Sequence, residues 1–111
     1  MELKLHINSK VKTFQLPQPT FLVMLKTAEL YKEQEQGNFL KDNPTEEELL
    51  VDMMKIRDYI VLAFGNQFTA DEFDTGFCSD DIFDFMTLGR QLMSDIVVNP
   101  KKLANLDKEV N

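Results

Sequence analysis

Residues 64–85 read FGNQFTADEFDTGFCSDDIFDF and hold six of the nine phenylalanines in this chain of 111 residues. The same stretch holds six carboxylates but neither lysine nor arginine. The chain has 19 acidic and 12 basic residues and a net charge of −7, so the other 13 acids nearly balance its bases. Aromatic rings favour a core, whereas carboxylates favour solvent or a basic partner. The stretch is therefore expected to contribute both to the core of the fold and to a surface for solvent or a partner.

A short helix is predicted in the middle of this stretch. Thr69 and Glu72 have the spacing of a capping box, in which each side chain accepts a hydrogen bond from the other residue's backbone amide. Phe68 and Phe73 take the flanking positions of a hydrophobic staple. Two start signals at one point predict a helix over about residues 69–75.

A longer helix is expected to follow. Gly76 is placed to end the short helix, and Ser79 is predicted to begin the next one, over about residues 79–98. Asp80 and Asp81 then lie in its first turn, where carboxylates interact favourably with the helix dipole. Its apolar residues repeat with helical spacing and would form one face. That face comprises Ile82, Phe85, Met86, Gly89, Leu92, Met93 and Ile96.

The helix before the stretch begins with another capping box, formed by Thr45 and Glu48. It is predicted over about residues 45–64, and Gly65 is suited to the left-handed conformation that ends a helix. One apolar face comprises Leu49, Met53, Ile56, Ile60, Ala63 and Phe64. A second apolar set comprises Leu50, Met54, Tyr59 and Val61. A helix that is apolar on two sides is either central to the fold or presents an interface.

The N-terminal part predicts a β-hairpin and a first helix. Residues 2–16 alternate apolar and polar side chains around turn chemistry at Asn8–Ser9. Prolines then separate the hairpin from a helix over about residues 20–34. We expect the core-facing side of that helix to be formed by residues at the i, i+3, i+4 and i+7 spacing, namely Phe21, Met24, Leu25, Ala28 and Tyr31. Phe39 and Leu40 interrupt the polar loop that follows and are expected to anchor it to the core.

Together these elements predict an α+β fold that is mainly α. An N-terminal β-hairpin is expected to pack on a small bundle of three longer helices and one short helix. A chain of this length forms about one domain, which we place at residues 1–99. Residues 100–111 have few apolar side chains and are predicted to be a mobile C-terminal tail.

The composition argues against several kinds of partner and compartment. No apolar run is long enough to cross a membrane, and an acidic chain without a basic run is poorly suited to bind nucleic acid. Cys78 is the only cysteine, so no internal disulfide is possible and a cytoplasmic setting is expected. Acidic neighbours would not activate this thiol, so we interpret Cys78 as a buried structural residue.

The sequence also gives no pattern for catalysis or for a metal. His6 is the only histidine and lies in a predicted strand. A calcium loop that began at Asp71 would need oxygen ligands at the positions of Phe73 and Ile82. There is no glycine-rich phosphate loop. We therefore predict a protein that is not an enzyme and that holds no metal or cofactor.

The remaining candidate site is a surface for a protein partner. Phenylalanines at helical spacing usually belong to a core, but rings on both sides of so short a helix are more than a core of this size obviously needs. Methionines nearby would make such a surface adaptable. We assign the surface to Met53, Met54, Tyr59, Phe68, Phe73 and Phe77. A charged residue in place of Phe68 or Phe77 is expected to weaken binding without unfolding the domain.

The segments LKLHINSKVKTFQ and IVLAFGNQFTADEFDTGFCSDDIFDFM resemble the tail assembly chaperones of long-tailed, siphovirus-type phages and prophages of Gram-positive bacteria. In those proteins a helix ends in a phrase like that of residues 64–69. A short acidic helix and a glycine follow, and the last helix opens with acidic residues. The resemblance covers most of residues 2–98.

The resemblance implies a non-enzymatic chaperone that binds the tape-measure protein and helps recruit tail-tube subunits. Such a protein works in the cytoplasm of the bacterial host and is not part of the mature virion. Many are also made in a frameshifted long form, for which the codons of Lys101 and Lys102 are a candidate slippage site. A weak homo-oligomer is also possible. The alternatives are an acidic DNA-mimic inhibitor and a structural tail or head-completion protein.

Overall fold

The computed structural model describes residues 1–98 of the chain and has an N-terminal β-hairpin followed by four helices. The elements are β1 (Glu2–Ile7), β2 (Lys10–Gln15), α1 (Phe21–Glu35), α2 (Glu46–Ala63), α3 (Ala70–Gly76) and α4 (Ile82–Val97). The predicted α+β, mainly α fold is confirmed. The predicted tail, with Lys101 and Lys102, lies outside the described residues.

The hairpin is antiparallel and tightly turned. Its register runs from Glu2 opposite Gln15 to Ile7 opposite Lys10. The turn residues Asn8 and Ser9 have φ angles of 52° and 63°, the left-handed values of the two-residue turn that suits the twist of a hairpin. Leu3 and Leu5 of β1 are buried, Ile7 is half-buried, and β1 contacts α3. The hairpin therefore closes one side of the helical core.

Local caps define the starts of α2 and α3 and the end of α2 as predicted. The capping boxes of Thr45 with Glu48 and of Thr69 with Glu72 are both complete. At the end of α2, Gly65 has a φ of 70° and its N–H donates to the carbonyl of Leu62, 2.9 Å away. A left-handed glycine with this hydrogen bond is a common helix ending, and it satisfies a carbonyl that the last turn of the helix leaves free.

The predicted start of α4 is wrong. Asp81, not Ser79, is the N-cap, because its carboxylate accepts the backbone N–H of Asp84 at 2.8 Å. The Ser79 hydroxyl instead donates to the carbonyl of Asp81 at 2.9 Å. Both residue types are good caps, and their order along the chain does not decide between them.

The predicted inner face of α1 is also wrong. Val23, Thr27 and Leu30 are the buried residues of this helix. Thr27 is accommodated inside because its hydroxyl donates to the carbonyl of Val23 at 2.7 Å and shares a hydrogen bond of 2.6 Å with the Tyr59 hydroxyl. Four members of the predicted face are exposed and Tyr31 is half-buried. The exposed members are Phe21, Met24, Leu25 and Ala28.

A continuous set of phenylalanine rings joins the hairpin to the helices. The Phe68 ring lies 5.0 Å from that of Phe14 in β2, 5.8 Å from that of Phe64 and 6.2 Å from that of Phe73 between centroids. Phe73 continues the set to Phe85 at 6.1 Å. Such pairs add about 0.5–1.5 kcal/mol each beyond the burial of area. The rings around α3 are therefore explained largely by the core.

Two further contacts fix α2 at the centre of the molecule. An added Cβ on Gly89 of α4 would lie 2.6 Å from Cγ2 of Ile56, so the glycine permits the close approach of α2 and α4. Phe39 and Leu40 are buried as predicted, and the N–H of Leu40 donates to the buried Asp52 carboxylate at 3.1 Å. This bond ties the loop after α1 to α2, so α2 is held from both sides.

Candidate partner-binding groove

An open groove of about 660 Å³ lies between α2, α3 and the start of α4. Eight of its twelve lining residues come from the phenylalanine-rich acidic stretch, residues 64–85, and four come from α2. The lining residues are Leu50, Met53, Met54, Arg57, Phe73, Asp74, Phe77, Cys78, Ser79, Asp81, Ile82 and Phe85.

The floor and sides of the groove are mainly apolar. Leu50, Met54 and Ile82 are exposed there, and Met53 and Phe77 are half-buried. Leucine and methionine at 50, 53 and 54 follow the i, i+3, i+4 spacing and so share one side of α2. A contiguous exposed apolar surface on a soluble domain is typical of a site for another molecule.

The phenylalanines that line the groove pack against one another and against the core. Phe73 is buried and stacks on Phe77, with ring centroids 4.8 Å apart and planes at 11°. Phe77 in turn meets Phe85 edge-on at 5.7 Å. The groove is therefore lined by rings whose positions the core fixes, which lowers the entropy lost when a partner binds.

Arg57 is the single basic side chain among the lining residues, and it is already neutralised. Its guanidinium bonds Asp58 and Asp74, each at 3.0 Å. The hydrogen bond to Asp58 is the main cause that raises the pKa of Arg57. Asp74 and Asp81 line the groove, and Asp58 binds Arg57 from outside the lining, so three carboxylates outnumber the one cation. The groove is apolar at its centre and acidic at its edge.

Four of the six residues assigned to a partner surface line this groove, namely Met53, Met54, Phe73 and Phe77. The other two are core residues. Tyr59 is fully buried, and burial raises its pKa to about 12, while Phe68 is only 2% exposed. The interpretation of Phe68 as a ring that tolerates a charge is therefore wrong, since the charge would be placed among packed rings.

Cys78 requires a further correction. It is exposed and lines the groove, whereas the sequence interpretation placed it in the core. Its position follows from the late start of α4, because residues 78–80 form the connection between α3 and α4 instead of a helix start. The other five phenylalanines of the stretch are buried or half-buried, whereas Phe83 is 75% exposed.

Sequence reasoning missed the groove residues that the connection brings together. Leu50 carried a signal, since it belongs to the second apolar set of α2. Ile82 carried one as well, since it belongs to the predicted apolar face of the last helix, whereas Arg57 and Asp74 carried none, because their proximity depends on how α3 meets α2. A second exposed apolar surface, which also escaped prediction, lies on α1 and comprises Phe21, Leu22, Met24 and Leu25.

Within residues 1–98 no group of three or more histidine, cysteine or acidic side chains is placed to hold a metal ion. No helix of this part of the chain combines the length and the apolar character needed to span a membrane.

A helical scaffold with an open apolar groove is typical of proteins that bind a segment of another protein. The sequence model of the family described as phage tail chaperone protein matches residues 1–106. The chain therefore belongs to the phage tail chaperone family, whose role in tail assembly is of a non-catalytic kind. Searches of curated proteins and of solved structures gave no match.

Proposed function

We propose that this chaperone binds the tape-measure protein of a long-tailed phage and helps recruit tail-tube subunits to it. It acts in the cytoplasm of a bacterial host, Gram-positive by the resemblance of its sequence, and leaves before the virion is complete. The observation that carries the proposal is the open apolar groove between α2, α3 and α4. Membership of the tail chaperone family supports a role in assembly.

The chemistry of the groove suits such a client. A long helical protein with apolar stripes aggregates when those stripes are bare. Met53 and Met54 offer flexible, polarisable contacts that adapt to different apolar side chains. The net charge of −7 keeps the complex soluble and separates neighbouring complexes by repulsion.

The acidic stretch has a structural explanation that weakens the DNA-mimic alternative. Glu72 and Asp81 accept backbone N–H groups at the starts of α3 and α4. Asp74 is paired with Arg57. A DNA mimic needs free carboxylates spread over a surface like phosphates, whereas these carboxylates cap helices or are paired. A head-completion or tail-ring protein would differ in forming a stable ring, which sizing of the purified chain would reveal.

Co-expression with the tape-measure protein of the same phage tests the proposal. The chaperone, carrying an affinity tag, should keep the tape-measure protein soluble and copurify with it. Met54→Lys introduces a charge into the groove and should reduce copurification. Met24→Lys is a matched control, because Met24 and Met54 are both helical and both 47% exposed, yet Met24 lies on α1.

Three outcomes separate the parts of the proposal. Loss of copurification with Met54→Lys alone supports binding in the groove. Equal copurification with wild type and both variants would place the binding site elsewhere, and no copurification with wild type would reject tape-measure binding. Addition of tail-tube protein to the purified complex tests recruitment, and capture of that protein by the complex, but not by the chaperone alone, is the expected result.

A further inference from the structure

The groove has two chemical properties that together restrict what can occupy it. Its centre presents the apolar side chains of Leu50, Met54 and Ile82 to solvent. Its border is acidic, because Asp74 and Asp81 line it and Asp58 binds the one cation of the lining, Arg57. An occupant must therefore be apolar along its middle and positively charged along its flanks to be complementary.

The one cation at the groove does not change this conclusion. Arg57 is bound by Asp58 and Asp74, so its charge is already compensated. Asp58 has a side chain that is 63% exposed and Asp74 one that is 42% exposed, so both carboxylates still face solvent, and Asp74 does so as a lining residue of the groove. A carboxylate on the occupant would meet Asp74 and Asp81, and the one cation of the lining, Arg57, is already paired.

The walls of the groove also indicate the conformation of the occupant. All three sides are formed by helices or by the connection between α3 and α4, and no residue of the hairpin lines it. One mode of binding an extended peptide, its addition to a free strand edge, has no such edge in this lining. A helix instead offers apolar side chains at i, i+3, i+4 and i+7 to a groove between helices.

We propose that the groove binds a single amphipathic helix whose apolar stripe is flanked by lysine or arginine residues. The inference rests on the proposed function, because it takes the tape-measure protein as the source of this helix. It adds the chemistry by which the groove selects the segment. Apolar contacts supply most of the affinity, while the acidic border selects basic over acidic helices and speeds their association. Regions of the tape-measure protein with acidic flanks would not be held.

Synthetic peptides of about 20 residues test the selection directly on the full chain. The first has leucines at helical spacing with flanking lysines, the second replaces every lysine by glutamate, and the third scrambles the first so that the stripe is lost. We expect the first peptide to bind at least about tenfold more tightly than either of the others. Its affinity should fall between 0.1 M and 1 M NaCl, as the Debye length shortens from about 10 Å to about 3 Å.

Charge-matched variants locate the binding. Met54→Lys should weaken binding of the lysine peptide by about tenfold or more, and Met24→Lys, which adds the same charge on α1, by less than about twofold. Equal binding of the lysine and glutamate peptides would overturn the inference, as would an equal loss with both variants. Tight binding by the scrambled peptide would show attraction by charge alone and would also overturn it.

The inference and the proposed function fail separately. If the tape-measure protein copurifies with the chaperone but the lysine peptide shows no preference, the helix chemistry is wrong and the chaperone role stands. If the lysine peptide binds in the groove but the tape-measure protein does not copurify, the groove chemistry is right and the assigned client is wrong.

Discussion

Phe73 and Phe77 stack almost parallel at the C-terminal end of α3, with centroids 4.8 Å apart, and only the first of the two rings is buried. The buried ring belongs to the set that joins β2, α2 and α4. The half-buried ring faces the groove. The stack therefore connects the stability of the fold to the shape of the groove.

Replacement of these two rings should separate stability from binding. Phe73→Ala should lower the free energy of unfolding by about 3–5 kcal/mol, since it opens a cavity within the ring set. Phe77→Ala should cost only about 1–2 kcal/mol, because part of that ring is already in water. Urea denaturation followed by circular dichroism measures both. Equal losses would show that Phe77 is as much a core residue as Phe73.

Gly89 should be required only while Ile56 keeps its side chain. Gly89→Ala brings a methyl group to 2.6 Å from Cγ2 of Ile56 and should destabilise the fold by about 1–3 kcal/mol. In an Ile56→Ala background the same change should stabilise it by up to about 1 kcal/mol through helix propensity. A double-mutant cycle of urea midpoints gives both values, and the same sign in both backgrounds would contradict the packing described here.

Asp52 should be replaceable by asparagine but not by alanine. Asp52→Ala leaves the buried N–H of Leu40 without an acceptor and should cost about 1–3 kcal/mol. Asp52→Asn retains a carbonyl oxygen at this position and should cost less. Urea midpoints at pH 7 compare the two variants, and equal losses would show that the hydrogen bond to Leu40 is unimportant.

The same carboxylate predicts a pH dependence. Burial raises the pKa of Asp52 above its usual value of 3.8, although the Leu40 N–H partly opposes the shift. The native state therefore keeps a proton that the unfolded state releases, and this contribution to stability is lost as the pH rises from about 4 through the raised pKa. Asp52→Asn lacks this loss, so its stability relative to wild type should increase between pH 4 and pH 7. A constant difference would contradict the shift.

Tyr59 should make the protein sensitive to alkali. Its pKa rises from 10.0 to about 12, mainly through burial, so the native state holds the phenol proton that the unfolded state releases above pH 10. Up to about 3 kcal/mol of stability is then lost as the pH rises from 10 to 12. Tyr59→Phe should cost about 1 kcal/mol at pH 7, through the lost bond to Thr27, and should flatten that alkaline loss. Urea titrations at pH 9 to 12 measure the free energy of unfolding of wild type and Tyr59→Phe. An equal fall with pH in both proteins would contradict the prediction.

Local signals in the sequence predicted most of the fold. Capping boxes and the Gly65 ending depend on residues within a few positions of one another, so α2 and α3 begin, and α2 ends, where their sequences indicate. The inner face of α1 was not predictable in this way. It depends on Thr27 meeting Tyr59, 32 residues away along the chain, which makes a threonine acceptable inside.

The groove shows the same division between local and tertiary information. Met53 and Met54 were predictable because they lie in the two apolar sets of one helix, Met53 in the first and Met54 in the second. The exposure of Cys78 was not, because Asp81 rather than Ser79 begins α4 and leaves the preceding residues as a connection. The charge at the groove border likewise depends on the tertiary pair of Arg57 and Asp74.

Cys78 provides the most direct measurement of whether the groove holds the client. It is the only cysteine of the chain, is exposed and lines the groove, so its alkylation by a maleimide can be followed by mass spectrometry without other changes. A matched control, Cys78→Ser with Ala28→Cys, moves the thiol to the exposed side of α1.

We expect alkylation of Cys78 to slow about tenfold when the tape-measure protein is present at a free concentration of about ten times its Kd. Only about a tenth of the chaperone molecules are then unbound. The thiol introduced on α1 should react at the same rate in the free and bound protein. Equal alkylation rates of Cys78 with and without bound tape-measure protein would contradict the assignment of the groove as the binding site.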